Sequence, residues 1–121
     1  MIENGRAKHA FAQVQNLNEA SIDAYTSYVR KMPMMIQTNG LAQTLAFYLS
    51  ANHKEYQIVY KDLEKWIKRS ETYKRLGLKD MESKQLIEAT IDLESQDYRM
   101  LTVEILAYLE WLKRFSVARK R

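Results

Sequence analysis

Hydrophobic residues recur along most of this chain with the spacing of amphipathic helices. Over residues 5–17 the apolar positions follow the i, i+3, i+4, i+7 pattern, which predicts a first helix there. Later apolar stripes predict helices over 22–32, from 41 onward, over 53–73, over 86–93 and over 95–115. The sequence has only one proline and three glycines, a scarcity that disfavours a turn-rich β-fold. We therefore predict an all-α fold, a compact bundle of about five to seven helices in a single domain spanning residues 1–121.

Two short segments are expected to interrupt the helices. Pro33 lacks an amide hydrogen and disfavours helical geometry at Met32, so a kink or a helix boundary is expected there. Asn39 and Gly40 tolerate left-handed backbone geometry, which predicts the end of a helix. The other capping or breaking positions predicted from the sequence are Asn18, Ser21, Gly77 and Ser95.

The stretch from residue 32 to residue 52 carries no charged side chain and is long enough for a membrane span. Its amide and hydroxyl side chains would each need a partner in lipid, and Gly40 interrupts it, so we expect a helix buried within the protein instead. Glu3, Arg6 and Lys8 precede any long apolar run, and no signal peptide is visible. Without cysteine there is neither a disulfide framework nor a thiolate metal site. A cytoplasmic protein without membrane contact is expected.

Residues that could carry catalysis are scattered along the sequence. His9 and His53 have no glutamate three residues away and belong to no His-Glu-x-x-His pattern, which argues against di-iron and zinc sites. The glycines form no phosphate-binding loop, and no serine has a base placed beside it by sequence. Glu88 and Asp92 share a helical face and are interpreted as solvated acidic surface. We therefore expect no catalytic residue, no metal and no cofactor, and we predict a binding protein rather than an enzyme.

The formal net charge of +4 is compatible with a polyanionic partner and equally with simple solubility. Four lysines fall on one face of one helix, where a solvated surface is the favoured interpretation; they are Lys54, Lys61, Lys65 and Lys68. Basic pairs also end the second and the last helix, where they complement the helix dipole. With two cations of the first helix, these pairs would form a phosphate-binding strip if the fold brought them together. The six residues of this strip are Arg6, Lys8, Arg30, Lys31, Lys113 and Arg114.

The segment 30–47 (RKMPMMIQTNGLAQTLAF) combines a basic pair, an apolar residue before proline, an Asn-Gly-Leu break and an apolar run that ends in phenylalanine. This pattern resembles the signature region of the small helical subunit of type III-B CRISPR (Cmr) effector complexes. Residues 6–10 (RAKHA) resemble the first helix of that family. Its closing helix is similar to residues 98–115, which contain Tyr98-Arg99, Thr102-x-Glu104 and the run 111–115. The similarity covers essentially the whole chain.

The resemblance implies a small, non-catalytic protein of antiviral defence. Several copies would pack along the stem of a multisubunit particle and help to hold the duplex of guide and target RNA, while other subunits cleave the target. The expected partners are the other subunits of the complex, copies of this chain, and guide and target RNA. The side chains would contact phosphates, which positions RNA without reading its sequence. The candidates for this surface are Arg30, Lys31, Lys113 and Arg114, with Arg6 and Lys8 as secondary candidates.

The motif residues are interpreted as mainly structural. Pro33 and the pair Asn39-Gly40 would shape the backbone. Trp111 would lie in the core or at a subunit interface rather than form a platform for base stacking. The residues of segment 30–47 expected to fill the core are Met35, Leu41, Leu45 and Phe47.

The alternative to an RNA-contacting subunit is a free-standing helical adaptor or regulator whose partner is another protein. A helix-turn-helix DNA-binding protein is a third and weaker option, because no short-turn helix pair has a second helix that is basic and polar on one face.

Overall fold

Helices make up most of the computed structural model, which describes residues 5–76 and 85–121. In chain order they are α1 (Arg6–Gln15), α2 (Ile22–Asn39), α3 (Leu41–Ser50), α4 (Lys54–Arg69), α5 (Glu71–Arg75), α6 (Leu86–Ile91) and α7 (Ser95–Lys120), with a 3₁₀ turn (Glu19–Ser21) before α2. No β-strand occurs within these ranges, and the predicted all-α class is confirmed. The break expected at Gly77 lies outside the described residues.

The longest helix, α7, packs along both α1 and α2. It runs parallel to α1, because Arg6 at the start of α1 bonds to Glu104 and Phe11 further along α1 contacts Phe115. The direction relative to α2 is opposite, since the first turn of α2 reaches the last turn of α7. Helices α3 and α4 pack against α2 and against each other, and α6 packs on α3. One continuous hydrophobic core lies between these helices.

Four fully buried tyrosines carry much of the core volume: Tyr25, Tyr48, Tyr60 and Tyr108. A buried hydroxyl needs a hydrogen-bond partner, and each of these has one. Tyr48, for example, donates to the carbonyl oxygen of Tyr28 at 2.5 Å, and Tyr60 accepts from the amide of Ile87 at 3.1 Å. The core is therefore specified by polar contacts as well as by apolar packing.

Helix α2 passes through Pro33 without ending, so the boundary considered at this position does not occur. Proline removes one hydrogen bond, the one its amide would have donated to the carbonyl of Val29. Val29, Met32 and Ile36 are all buried on the same face of α2. Their packing holds the helix together across the missing bond.

The predicted helix end at Asn39 is confirmed, and α3 begins directly after Gly40. Gly40 has φ +85° and ψ 161°, a backbone conformation that residues other than glycine rarely adopt. In the first turn of α3, the amide of Ala42 donates to the hydroxyl of Tyr98 at 2.8 Å. A Cβ atom on Gly40 would lie 3.4 Å from this same hydroxyl. The sharp turn thus fits α3 closely against the start of α7.

The predicted capping residues lie within one position of helix starts, but none makes the expected capping bond. Asn18 precedes the 3₁₀ turn and Ser21 precedes α2, both without a side-chain cap. The hydroxyl of Ser21 instead donates to Glu55 on α4 at 2.9 Å. Helix α7 includes Ser95 and is preceded by Glu94. A bond between helices has replaced the local cap at Ser21.

Candidate nucleic-acid interface

Cations of α2 and α7 converge on one open groove. Its volume is about 720 Å³. On α7 the lining positions recur every three or four residues, so they share a helix face. The antiparallel packing of α2 then brings Arg30 beside them. The groove, called here the α2–α7 groove, is lined by Arg30, Lys113, Arg114, Val117, Ala118 and Arg121.

Three of the four cations in this groove face solvent without a counter-charge. Arg30, Arg114 and Arg121 are exposed, and within the described residues none has an ion-pair or hydrogen-bond partner. Lys113 pairs with Glu110 at 3.1 Å, but both side chains are about half exposed. Such surface pairs contribute little and break readily. The groove therefore offers a concentrated positive charge to an incoming anion.

Lys31 neighbours Arg30 in sequence but points into a cluster of aromatic rings. Its Nζ lies 4.7 Å from the ring centroid of Tyr56, 5.1 Å from that of Tyr28 and 5.8 Å from that of Phe47. It also donates a hydrogen bond to the Tyr56 hydroxyl. Cation–π attraction of this kind holds an ammonium group in place. Lys31 is thus held by the aromatic rings and is not part of the lining of the α2–α7 groove.

Arg6 lies in the interior of the α1–α7 packing. Its Nε and Nη2 donate to the two carboxylate oxygens of Glu104 at 2.8 and 2.7 Å, and the indole of Trp66 donates to the same carboxylate at 2.9 Å. Nine helical positions separate Glu104 from Lys113, about 14 Å along α7. Lys8 faces a different cavity, with His9 and Arg69. The structure brings Arg30, Lys113 and Arg114 together, and it joins neither Arg6 nor Lys8 to them.

Arg121 was not among the residues predicted for the interface. The available signal was its spacing of seven positions from Arg114, which places both side chains on one face of α7. Arg119, two positions earlier, faces the other way and donates to the carbonyl of Val14. That bond adds to the one that the amide of Leu17 donates to the same carbonyl at 3.3 Å in the last turn of α1.

The motif residues of segment 30–47 divide between core and surface. Leu41 and Leu45 are fully buried, as predicted, and Met35 is half-buried. Phe47 is 41% exposed, so its assignment to the core is wrong. The buried face of α3 includes Thr44, which can be buried because its hydroxyl donates to the carbonyl of Gly40 at 2.8 Å. Phe47 projects away from that face, where it covers Lys31.

Trp111 is 37% exposed and therefore does not lie in the core. It stacks on Phe115 with 5.6 Å between ring centroids, and Phe115 meets the edge of Phe11 at 5.3 Å. That Trp111 lies at a subunit interface stays a prediction.

Buried polar side chains of α1, α2, α4 and α7 bond to one another between these helices. The hydroxyl of Tyr25 donates to Asp62 at 2.6 Å, and burial raises the pKa of Asp62 to about 6. His9 shares a hydrogen bond of 2.6 Å with the Tyr108 hydroxyl. Burial, and then the charges of Arg69 and Lys65, lower the pKa of His9 to about 4. Both groups are consequently held mainly in their neutral forms near pH 5.

Two further properties of the described residues bear on the kind of site. Within residues 5–76 and 85–121, no three histidine, aspartate or glutamate side chains are grouped so that they could hold a metal ion. None of the helices in the same ranges has both the length and the apolar character needed to cross a bilayer.

Comparison with known proteins places this helical architecture among the CRISPR-associated proteins. The family model described as CRISPR-associated protein (Cas_Cmr5) matches residues 2–119. The chain belongs to this Cmr5 family, and the resemblance seen in segment 30–47 is confirmed. A relative named "CRISPR system Cmr subunit Cmr5", from Thermus thermophilus, is 33% identical over 94 residues, which cover 78% of this chain and 73% of the relative.

A solved structure agrees with this assignment over a greater length. The X-ray crystal structure of a CRISPR-associated Cmr5 family protein, also from Thermus thermophilus, matches with a TM-score of 0.73 at 28% sequence identity. The match covers 93% of this chain and 92% of that chain. The two proteins therefore share the helical fold over nearly their full lengths.

Proposed function

We propose that this chain is a small, non-catalytic subunit of a type III-B CRISPR effector complex, where it helps to hold guide and target RNA by their phosphates. The observation that carries the proposal is the convergence of Arg30, Lys113, Arg114 and Arg121 on the α2–α7 groove. Family membership and the name of the Thermus relative, a Cmr subunit, support a place in such a complex beside its other subunits and copies of this chain.

Arginine suits this role because its planar guanidinium can donate two parallel hydrogen bonds to a phosphate. Three of the four cations in the groove are arginines, and α7 spaces its cations by up to about two helical turns. Contacts of this kind fix the position of an RNA backbone and leave its sequence unread. That property fits a subunit that has to accept every guide carried by the complex.

The proposal predicts salt-sensitive RNA binding that is indifferent to sequence. If the four cations each neutralise one phosphate, the slope of log K against log salt is about −2.8 for single-stranded RNA and about −3.6 for a duplex, and affinity falls roughly 50-fold to 150-fold between about 50 and 200 mM salt. Fluorescence anisotropy with labelled RNA of two unrelated sequences measures both properties. A slope near zero, or a strong preference for one sequence, would contradict phosphate binding at this groove.

The double variant Lys113→Glu/Arg114→Glu tests the site itself. We expect RNA affinity to fall at least tenfold while the helical circular dichroism signal is unchanged, because both side chains are at least partly exposed. The matched control is Arg75→Glu/Arg99→Glu, which makes the same change in net charge at exposed positions outside the groove. Equal losses in both double variants would show an effect of net charge alone.

Membership of a complex is tested by purifying the tagged wild-type chain from its host. Other subunits and a guide RNA are expected to copurify, and the proposal fails if neither does. Under the same conditions, Lys113→Glu/Arg114→Glu should retain the protein subunits and hold less RNA. The purified chain alone is expected to leave a labelled target RNA uncleaved.

A further inference from the structure

Two adjoining cavities lie between α1 and α4, away from the α2–α7 groove. Their volumes are about 320 and 310 Å³, and Gln13 lines both of them. This pair of cavities is called here the α1–α4 groove, and the polar residues that line it include Lys8, Gln13, Asn16, Lys54, Lys65 and Arg69.

The charge of the α1–α4 groove is strongly positive. It contains four cations, and within the described residues none of them lies within ion-pair distance of a carboxylate; they are Lys8, Lys54, Lys65 and Arg69. The one acid in the lining, Asp62, is 4% exposed and bonded to Tyr25. Beside the groove, the carboxylate of Glu55 accepts a hydrogen bond from the hydroxyl of Ser21.

The fold divides the lysine stripe of α4 into two sets. Lys54 and Lys65 line the α1–α4 groove. Lys61 pairs with Glu64 at 3.7 Å, and Lys68 is half-buried outside the groove. Arg69, one turn beyond Lys65, joins the groove set although it was not part of the stripe. The lysines of one helix therefore divide into those that line the groove and those that lie outside it.

Carboxamide side chains line the α1 side of the groove. Gln13, Asn16 and Asn18 have no side-chain hydrogen bond within the described residues. A carboxamide presents donors and an acceptor together, which matches the hydrogen-bonding edge of an unpaired base. Cations for phosphates and carboxamides for base edges thus occur in one groove.

We propose that the α1–α4 groove is a second RNA site, which binds a short single-stranded segment. Phosphates would contact Lys8, Lys65 and Arg69, and base edges would contact Gln13 and Asn16. The residues Lys54 to Arg69 extend over about 22 Å of α4, which is long enough for a few nucleotides. The proposal does not rest on the α2–α7 groove, because the two sites share no residue.

The sharpest test compares the two sets of α4 cations. In the Lys113→Glu/Arg114→Glu background, Lys65→Gln/Arg69→Gln should weaken binding of a labelled single-stranded RNA about tenfold and make the salt slope about 1.4 units shallower. The matched control is Lys61→Gln/Lys68→Gln, on the same helix with the same loss of charge, and we expect less than a twofold effect. Equal effects of the two doubles would overturn the proposal, as would no effect of either.

Variants of α1 test the remaining contacts and guard against a folding defect in α4. Lys8→Gln alone should weaken binding about threefold. Gln13→Ala/Asn16→Ala should weaken binding of single-stranded RNA with an unchanged salt slope, because no charge is lost. The same double should leave binding of duplex RNA unchanged, since its base edges are paired. Competition by polyglutamate as strong as that by unlabelled RNA would instead indicate an acidic peptide site and contradict the proposal.

Discussion

The two halves of α7 use polar side chains in opposite ways. In the first half, Glu104 is 7% exposed and accepts hydrogen bonds from Arg6 and Trp66. In the last turns, Arg114 and Arg121 are exposed, and no partner for either occurs in the described part of the chain. A basic residue in a sequence is therefore a candidate for RNA contact only where the fold supplies no buried carboxylate for it.

The largest effect is expected from removing the buried carboxylate. Glu104→Ala removes the buried carboxylate that accepts from the Arg6 guanidinium and the Trp66 indole, and should lower the free energy of unfolding by about 3 to 5 kcal/mol. The measurement is urea denaturation followed by circular dichroism. Glu110→Ala, on the same helix but exposed, is the control and should change stability by less than about 0.5 kcal/mol. A loss below about 1 kcal/mol in Glu104→Ala would mean that the buried network stabilises little.

A pair of single variants tests whether stability and RNA binding separate along α7. Arg6→Gln should lower the free energy of unfolding by about 2 kcal/mol and leave RNA affinity unchanged. Arg114→Gln should leave stability unchanged and lower RNA affinity about threefold. Urea denaturation gives the free energy of unfolding of each variant, and fluorescence anisotropy gives its affinity for RNA. If Arg6→Gln folds normally and still binds RNA clearly more weakly than the wild type, Arg6 contacts RNA and the separation along α7 is wrong.

The smallest effect concerns pH, and it arises from two opposed groups in the buried network. The pKa of His9 is about 4 in the folded protein against an ordinary 6.5, so its contribution to stability is full above pH 6.5 and is lost as pH falls towards 4. The pKa of Asp62 is about 6 against 3.8, so its contribution is full below pH 3.8 and is lost as pH rises through 6. The two slopes oppose each other between about pH 4 and 6, and stability should change little there.

Single variants should expose each slope. His9→Gln removes the contribution of His9 to the pH dependence of stability. The free energy of unfolding of this variant should therefore fall as pH rises from 4 to 6, because Asp62 alone remains. Asp62→Asn removes the contribution of Asp62, and the free energy of unfolding of this variant should rise between pH 4 and 6. Denaturation midpoints across these pH values provide the comparison. Parallel pH profiles for the two variants would show that the groups do not act in opposite directions.

Much of this fold can be predicted from the sequence because helical spacing is a local signal. The helix end at Asn39 and the start of α3 follow from adjacent residues alone. The errors concern features settled by distant ones. Phe47 belongs to an apolar segment, but its ring packs against Tyr56 of α4 and beside Lys31 of α2, where it is 41% exposed. Local rules for proline likewise give no weight to the buried face that carries α2 past Pro33.

The candidate site was less predictable than the fold. Arg6 and Lys113 look alike in sequence, and the difference lies in a carboxylate 98 positions from Arg6. No periodicity reveals such a pair. Arg69 falls outside the lysine stripe because it is an arginine, although its one-turn spacing from Lys65 is visible in the sequence. Charge patterns in the sequence thus do not separate cations that hold the fold together from cations that face solvent.

The hydrogen bond from the Ala42 amide to the Tyr98 hydroxyl has a consequence for how the chain reaches its native state. The first amides of a helix have no acceptor within it, and α3 takes one of its acceptors from a residue 56 positions further along the chain. Helix α6 does the same, because the amide of Leu86 donates to Glu64 on α4. Neither short helix is complete until a distant helix has docked. We therefore expect α3 and α6 to unfold in the same transition as the helices that supply these acceptors, rather than as separate units.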